Sequence, residues 1–280
     1  MVKQGLVSII VPVYNSGKTI ESTINSILNQ TYKNIEILVI NDCSTDSTCS
    51  IVLGLQKKDK RIKLISQKHK GIAETFNTGL KNVNGEYFLI IGSDDNLSSD
   101  AIQNLVTYLE KNKTKFAVFG LTKYFFSGKN RTYDVRGKMK PGFNSFDLAN
   151  KFLTCTKAPF TPASLLYKAD VIKEIGYFNE NLERSVDSDY TYRLLSTLKV
   201  GAISKIVYNY DISSHGTKGK IKFMYLQLKS KLKVINLHKT GLSRFWLLFS
   251  NISYFPIKVF ITYSTYFYIE IKSHFNLGHR

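Results

Sequence analysis

Short apolar runs alternate with segments of helical character along the first hundred residues of the chain. Three runs have the length of a buried strand: residues 6–11, 35–40 and 87–91. Three intervening segments have helical spacing or helix-starting residues: 17–28, 46–57 and 71–81. Strands that alternate with helices predict an α/β fold, with a mostly parallel central sheet and right-handed crossovers.

Polar side chains follow each of these predicted strands, at the point where the strand ends. Asn15 follows the first strand, Asp42 the second, and the adjacent carboxylates Asp94 and Asp95 the third. Ligands of parallel α/β sheets bind beyond the carboxyl ends of the strands, so these side chains are candidates for one binding site. Two adjacent carboxylates there suit Mg²⁺ or Mn²⁺ that carries a diphosphate. The alternative is an ordinary polar turn, in which Asp and Asn are common.

Taken in order, these segments form a combined motif that is more specific than any of its parts. Its parts are Pro-Val-Tyr-Asn at 12–15, Asn-Asp-Cys-Ser-Thr-Asp at 41–46, Gly71 with Asn-Thr-Gly at 77–79, Asn-Gly-Glu-Tyr at 84–87 and Ser-Asp-Asp at 93–95. In residues and in spacing they resemble the family 2 glycosyltransferases, and the resemblance covers residues 5–215. It implies the GT-A fold, a Rossmann-like, mostly parallel central sheet flanked by helices.

The resemblance also implies a role for each polar position. Asp42 would accept a hydrogen bond from the base of a nucleotide-sugar donor, most often uracil, which makes a UDP-sugar the expected donor. Asp95 would bind the Mn²⁺ or Mg²⁺ that bridges the diphosphate, and Asp94 would contact the ribose or a water on the metal. Such a cation would stabilise the charge of the departing nucleoside diphosphate as a Lewis acid. The rest of the nucleotide pocket would be lined by Pro12, Tyr14 and Asn15.

Three positions depart from the common family pattern. Gly92 stands where many members have a third Asp, and Cys43 replaces a frequent Gly. Phe76 precedes Asn77 where an Arg is common. The first difference leaves the enzyme prediction in place, whereas the third predicts altered contacts to the nucleotide.

A second polar group lies about ninety residues further along. Asp187, Asp189 and Arg193 fall on positions of a family motif, and Val186 replaces its usual Glu. The resemblance implies that Asp187 is the catalytic base, which the chemistry needs because a sugar hydroxyl is a poor nucleophile until it loses its proton. Direct attack by that hydroxyl inverts the anomeric centre. The alternative is that Asp187 caps a helix and that Asp189 and Arg193, four residues apart, form a solvated ion pair.

The net charge of +18 is unevenly distributed along the chain. Residues 216–280 contain eleven Lys or Arg and a single acidic residue, Glu270. Apolar side chains recur there at helical spacing, and a stretch rich in Trp, Tyr and Phe follows. We therefore predict a catalytic domain at 1–215 and a helical extension at 216–280 that contacts an anionic membrane surface. The alternatives are packing on the catalytic domain or homo-oligomerisation. Nucleic-acid binding is disfavoured because no recognised motif appears.

Further single residues bear on location and on the site. The cysteines Cys43, Cys49 and Cys155 lack zinc-site spacing and indicate a reducing compartment. The N-terminus runs directly into the first strand, so we expect no signal peptide and a cytoplasmic protein at the inner face of the membrane. In some related transferases a His near position 215 is a metal ligand or contacts the diphosphate, so His215 is a candidate, with an exposed loop histidine as the alternative. His69, between two lysines, is expected at the surface.

The sequence as a whole predicts an inverting, metal-dependent glycosyltransferase. Its acceptor would be a hydroxyl of a growing, lipid-linked glycan such as a capsule or lipopolysaccharide. The main alternative is a non-catalytic partner subunit that binds nucleotide or glycan. A nucleotidyltransferase or an NAD-binding protein is disfavoured, because no glycine-rich phosphate loop follows the first strand. Four weaker predictions concern local structure: a hairpin turn at 125–130, a helix at 145–152, a strand at 163–168 and a helical turn at 171–175.

Overall fold

A computed structural model describes residues 3–126, 129–134, 162–211, 229 and 232–238. The strands are β1 (Lys3–Val13), β2 (Ile35–Asn41), β3 (Ile62–Ser66), β4 (Gly85–Ile90), β5 (Asn96–Leu97), β6 (Ala117–Phe126), β7 (Lys129–Asp134), β8 (Leu165–Lys168) and β9 (Val200–Asp211). The helices are α1 (Ile20–Leu28), α2 (Thr48–Lys58), α3 (Ile72–Lys81), α4 (Ala101–Lys111), α5 (Val171–Ile175) and α6 (Val186–Thr197). A 3₁₀ turn covers Pro162–Ser164, and residues 232–238 are also helical.

The strands of the described residues form one sheet in the order β3-β2-β1-β4-β8-β6-β9-β5, with β7 paired to β6. β1, β2, β3 and β4 are parallel to one another, and β6 is parallel to β9. β8 runs antiparallel between β4 and β6, and β5 and β7 are also antiparallel to their neighbours. Six of these nine strands therefore point the same way, as the α/β prediction requires. The carboxyl ends of β1, β2 and β4 meet at one edge.

Apolar side chains fill both faces of this sheet. One core cluster packs α1, α2 and α4 against it, and a second packs α3, α5 and α6 against the other face. Because β2 lies between these layers, all seven of its residues are buried. Its one charged residue is Glu36, whose carboxylate accepts hydrogen bonds from Ser8 Oγ at 2.6 Å and Lys63 Nζ at 2.8 Å. The central strands thus have the near-continuous burial that a sheet covered on both faces produces.

Most of the predicted elements are confirmed with shifts at their ends. α1 begins at Ile20 and not at residue 17, because the Gly17 amide donates to Asp46 Oδ2 at 2.9 Å and residues 17–19 form a turn. Asp46 was predicted to cap α2, but the N-cap residue is Ser47; Asp46 lies one position before it, and its Oδ1 accepts from the Thr48 amide at 3.0 Å. The predicted strand at 163–168 is shortened by the 3₁₀ turn that precedes β8. β6 and β7 pair antiparallel, with Phe126 opposite Lys129, as the predicted hairpin at 125–130 requires, while the predicted helix at 145–152 lies outside the described residues.

The described part of the C-terminal segment packs on the catalytic domain. Val234 and Ile235 are fully buried in the core cluster that includes α6, and Leu232 packs against it. Lys229, Lys233 and Leu237 are exposed. This part of the segment packs as the alternative to membrane contact predicted, while the domain boundary at 215/216 stays a prediction. Within the residues the structure covers, no helix is long and apolar enough to cross a membrane.

Candidate active site

A cleft of about 490 Å³ opens at the carboxyl edge of the sheet. Pro12, Asp95 and Asp187 all line it, so three of the predicted site residues come together although they are far apart in the chain. Much of the remaining wall is aromatic and includes Phe76, Tyr167, Phe178, Tyr190, Tyr208 and Tyr210. Tyr14, Asn15, Asp42 and Asp94 do not line this cleft. They follow β1, β2 and β4 at the same sheet edge.

Phe76 contributes to the aromatic wall. Its ring lies 4.8 Å from that of Phe178, and Phe178 in turn stacks on Tyr190 at 4.1 Å. Such ring pairs stabilise a wall beyond the burial of their area. The position at which many family members have an Arg therefore supplies apolar surface in this chain.

The loops after β1 and β2 hold each other through side-chain to backbone hydrogen bonds. Asn15 Oδ1 accepts from the Thr45 amide at 2.8 Å, and the Asn15 amide donates to Ser44 Oγ at 3.0 Å. Asn15 and Cys43 have φ values of 50° and 66°, in the left-handed region. Glycine adopts that region without strain, which explains why a Gly is frequent at the position of Cys43. In this structure Asn15 joins the two loops, while its predicted contact with a nucleotide stays a prediction.

Asp42 lies at the end of β2 and is 4% exposed. Its Oδ1 accepts hydrogen bonds from Gln67 Nε2 and from the Lys70 amide, both at 2.9 Å. Its Oδ2 accepts from the Gly71 amide at 3.0 Å and lies 2.9 Å from His69 Nδ1. Burial alone would raise the pKa of Asp42, but these hydrogen bonds hold that pKa below its usual value. Asp42 is therefore ionised at neutral pH, and it fixes the segment that leads into α3.

Asp95, just beyond β4, is 5% exposed and accepts a hydrogen bond from the Tyr208 hydroxyl of β9. Burial, with the nearby Asp95 charge, raises the pKa of Tyr208, so the hydroxyl keeps its proton and orients the carboxylate. Gly92 gives this carboxylate room, because a Cβ at that position would lie 2.6 Å from Asp95 Oδ2 and 3.2 Å from Asp94 Oδ1. The two carboxylates thus converge on the space beside Gly92.

The carboxylate pair fits a hard divalent cation. Mg²⁺ and Mn²⁺ prefer oxygen ligands, and Mg²⁺ is commonly held by one or two carboxylates together with substrate phosphates and water. In the part of the chain that the structure describes, no group of three His, Cys, Asp or Glu side chains could hold a metal alone. Asp94 and Asp95 would therefore share the ion with phosphate oxygens. His215 lies outside the described residues, so its role stays a prediction.

Asp187 lies in the first turn of α6 and is half-buried in the cleft wall. The helix begins at Val186 with Ser185 at its N-cap, so Asp187 is not the capping residue. Its Oδ1 accepts from the Ser188 amide at 2.8 Å. Burial raises the pKa of Asp187, which makes the carboxylate a stronger base than an exposed aspartate. Its chemistry suits a general base, and the catalytic role stays a prediction.

Asp189, two residues further along α6, forms a buried ion pair and not a solvated one. It is 1% exposed, and its Oδ2 accepts from Arg193 Nε at 3.0 Å. His238 Nε2 lies 2.7 Å from Asp189 Oδ1, so a residue of the C-terminal segment is tied to the helix that bears Asp187. Arg193 also donates to the carbonyls of Ile175 and Tyr177. Burial alone would raise the pKa of Asp189, but His238 and Arg193 hold that pKa below its usual value.

Three residues near the site were not predicted from the sequence. His69 was expected only at the surface, but its imidazole contacts Asp42 and its ring lies 4.9 Å from that of Tyr14. Tyr208 contacts Asp95, which lies 113 positions away in the chain, and His238 contacts Asp189, which lies 49 positions away. No local pattern signals contacts at such separations. For His69, the nearby Gly71, which is the N-cap of α3, was the available signal.

A family model and a curated relative match much of this chain. The model described as Glycosyl transferase family 2 matches residues 8–176, more than half of the chain. The chondroitin synthase of Escherichia coli is 30% identical over 243 residues, which make up 86% of this chain and 34% of that protein. The chain spans about a third or less of the length of curated relatives of this kind.

Solved structures share the fold. TarS 1–349 of S. aureus, in complex with UDP-GlcNAc, has a TM-score of 0.64 at 22% identity and covers 86% of this chain and 70% of its own. The mannosyltransferase PcManGT from Pyrobaculum calidifontis, in complex with GDP-Man and Mn²⁺, has a TM-score of 0.62 at 20% identity. The match covers 89% of this chain and 69% of that protein. At these identities the likeness is one of fold, and it confirms the predicted GT-A class. Fold, motif and family model agree, and the chain belongs to glycosyl transferase family 2.

Proposed function

We propose that this chain is a metal-dependent, inverting glycosyltransferase that moves a sugar from a UDP-sugar to a hydroxyl of a growing cell-surface glycan. The observation that carries the proposal is the shared cleft, because Asp95 and Asp187 line the same cavity. Its volume of about 490 Å³ lies in the usual range of ligand pockets. Membership of the family and the UDP-GlcNAc in the TarS structure support a nucleotide-sugar donor.

Each side chain of the site has a separate task in this mechanism. Tyr14, which is 53% exposed, offers an aromatic ring to the base, and Asp42 offers carboxylate oxygens. Asp94 and Asp95 would hold Mn²⁺ or Mg²⁺, and the cation supplies Lewis-acid stabilisation of the departing diphosphate. Asp187 takes the proton of the acceptor hydroxyl, and its raised pKa brings its base strength closer to neutral pH. The deprotonated oxygen attacks the anomeric carbon directly, which inverts it.

The donor site is tested by thermal stabilisation of the purified protein with UDP, GDP, CDP and dTDP, each with and without Mn²⁺. A ligand that binds only the native state at 100 times its Kd adds about 2.7 kcal/mol of stability. We expect one nucleotide to stabilise the protein in a Mn²⁺-dependent way and Asp95→Ala to abolish the effect.

Tyr208→Phe removes the hydrogen bond to Asp95 and should weaken Mn²⁺ affinity by about 10- to 100-fold. Tyr177→Phe, at an exposed ring, is the control.

Two results would contradict the donor site. If no nucleotide stabilises a protein that is shown to be folded, a non-catalytic partner subunit explains the chain better than an enzyme does. If Asp95→Ala keeps the full Mn²⁺-dependent stabilisation, the carboxylate pair is not the metal site.

We further propose that the acceptor is lipid-linked and that the C-terminal segment contacts an anionic membrane surface at the inner face. The basic, aromatic composition of 216–280 supports this. Because Val234 and Ile235 belong to the core, a test must leave them in place. A chain that ends at residue 240 should fold but lose binding to vesicles with about 30% anionic lipid. Equal binding by the shortened chain would rule out residues 241–280 as the membrane contact.

A further inference from the structure

Four donor nitrogens surround the carboxylate of Asp42 in this structure. A carboxylate offers about four lone-pair sites. Gln67 Nε2 and the Lys70 amide take Oδ1, both at 2.9 Å. The Gly71 amide donates to Oδ2 at 3.0 Å. His69 Nδ1 lies 2.9 Å from Oδ2 and hydrogen-bonds the main-chain carbonyl of Asp42 at 3.2 Å. A nucleobase that approaches Oδ2 from the side of His69 must therefore displace the imidazole.

Of the four donors, His69 can be displaced from the carboxylate at the lowest cost in free energy. The Lys70 and Gly71 amides lie in the backbone that begins α3, so releasing them would disturb the helix. The Gln67 amide is held at both ends, because Nε2 also donates to Thr75 Oγ1 at 3.2 Å and Oε1 accepts from Thr78 Oγ1 at 2.6 Å. His69, in contrast, has a side chain that is 60% exposed.

The other contact of the His69 ring is with Tyr14. The two ring centroids are 4.9 Å apart at an interplanar angle of 35°, which is direct contact between aromatic rings. No third ring fits between them at that distance. A base that stacks on this part of Tyr14 while it bonds Asp42 must therefore move His69 away from both residues.

We propose that His69 is a specificity-determining residue of the nucleotide site, which it occupies as an internal competitor for Asp42. This rests on the proposed function, in which Asp42 receives the base. Uracil, thymine and guanine carry a ring N–H that can replace the His69 donor on the carboxylate. Cytosine and adenine have an acceptor nitrogen at that ring position, so they cannot replace the His69 donor there and gain nothing by displacing it. The competition with His69 therefore lowers the affinity for bases that carry a ring N–H and leaves the affinity for cytosine and adenine unchanged.

The test is calorimetric titration of UDP and CDP, in the presence of Mn²⁺, into the wild type and His69→Ala. The His69 side chain is 60% exposed and its contact with Asp42 is weak, so its removal should raise the affinity for UDP by about two- to fivefold. The affinity for CDP should stay the same, so the ratio of UDP to CDP affinity rises. GDP and ADP form a second matched pair, because guanine has the ring N–H and adenine does not.

Two control variants separate competition from general effects. His69→Asn retains a side-chain N–H donor near Asp42 and should keep the wild-type ratio. Lys68→Ala removes a neighbouring exposed cation and should change the affinities for UDP and CDP by the same factor. An unchanged ratio in His69→Ala, or an equal loss with both nucleotides, would overturn the proposal while the proposed function stands. If none of the four nucleotides binds the wild type or the variant, the proposed function itself fails.

Discussion

Asp187→Asn should lower the rate of sugar transfer by about 10²- to 10⁴-fold, the usual contribution of a general base. The amide cannot accept the proton of the acceptor hydroxyl, although it keeps the size and place of the carboxylate in the cleft wall. The rate is measured as nucleoside diphosphate released from the sugar donor that the binding screen identifies. Nucleotide affinity should stay unchanged, because Asp187 lies on α6 and not among the Asp42 contacts.

The same variant should be at least as stable as the wild type at neutral pH. Burial raises the pKa of Asp187, which means that the folded protein disfavours the charged form. The native state therefore binds more protons than the unfolded state between the ordinary and the raised pKa, and wild-type stability falls as pH rises through that window. Asp187→Asn removes this loss. The activity of the wild type should decline on the acid side at a higher pH than an ordinary aspartate would produce.

Denaturant unfolding at several pH values, run beside the rate assay, decides between a catalytic and a structural Asp187. A structural residue would give a destabilised variant whose activity falls only in proportion to its folded fraction. Asp170→Asn is the matched control, because this carboxylate is exposed at the start of α5 and does not line the cleft. It should change neither the rate nor the stability by a measurable amount.

Asp189→Ala should lower the free energy of unfolding by about 3 kcal/mol, the lower end of the loss expected when one partner of a buried ion pair is removed. The carboxylate is 1% exposed, while the side chains of Arg193 and His238 are 21% and 20% exposed. Without Asp189, these two donors lose their common acceptor beside the core cluster that holds Val234. The loss is measured by urea unfolding at neutral pH.

A second ion pair in the same region provides the comparison. Lys173 and Asp170 lie 2.8 Å apart, but their side chains are 76% and 61% exposed. Exposed pairs contribute about 0–1 kcal/mol, so Asp170→Ala should cost far less than Asp189→Ala. Equal effects of the two variants would contradict the view that burial makes the Asp189 pair important.

The pH dependence of the Asp189 effect has the opposite sign to that of Asp187. The pKa of Asp189 is lowered in the folded state, so its stabilisation is present at neutral pH and is lost as pH falls through the ordinary and then the lowered value. The stability of Asp189→Ala should therefore depend less on pH in the acid range than that of the wild type.

Local pattern was sufficient to predict where the polar motifs lie. Apolar runs at 6–11, 35–40 and 87–91 become β1, β2 and β4, and the carboxyl ends of parallel strands necessarily meet at one edge. Asn15, Asp42 and Asp95 follow from that rule alone. Helical spacing also predicted that Asp189 and Arg193 face each other, since residues four apart lie on one side of a helix.

Three elements, β3, α4 and β9, were not predicted from the sequence. For α4 the signal was present and was missed, since its buried apolar residues recur at helical spacing. The two strands lack such a local signal. β3 is only five residues long, and only one of them is buried. β9 pairs with β6, more than seventy positions earlier in the chain, so its strand character depends on a partner that no local window contains. Tertiary context decides such elements more than propensity does.

By itself, the sequence determined the α/β order of the elements, the family motif and the candidate base, because these depend on local segments and on their order and spacing along the chain. Only the tertiary structure decided that Tyr208 hydrogen-bonds Asp95, that His69 lies against the carboxylate of Asp42, and that His238 contacts Asp189. These contacts join surfaces that fold together from distant parts of the chain. Sequence periodicity reports which face of an element is buried, and it carries no information about which side chain of another element lies opposite.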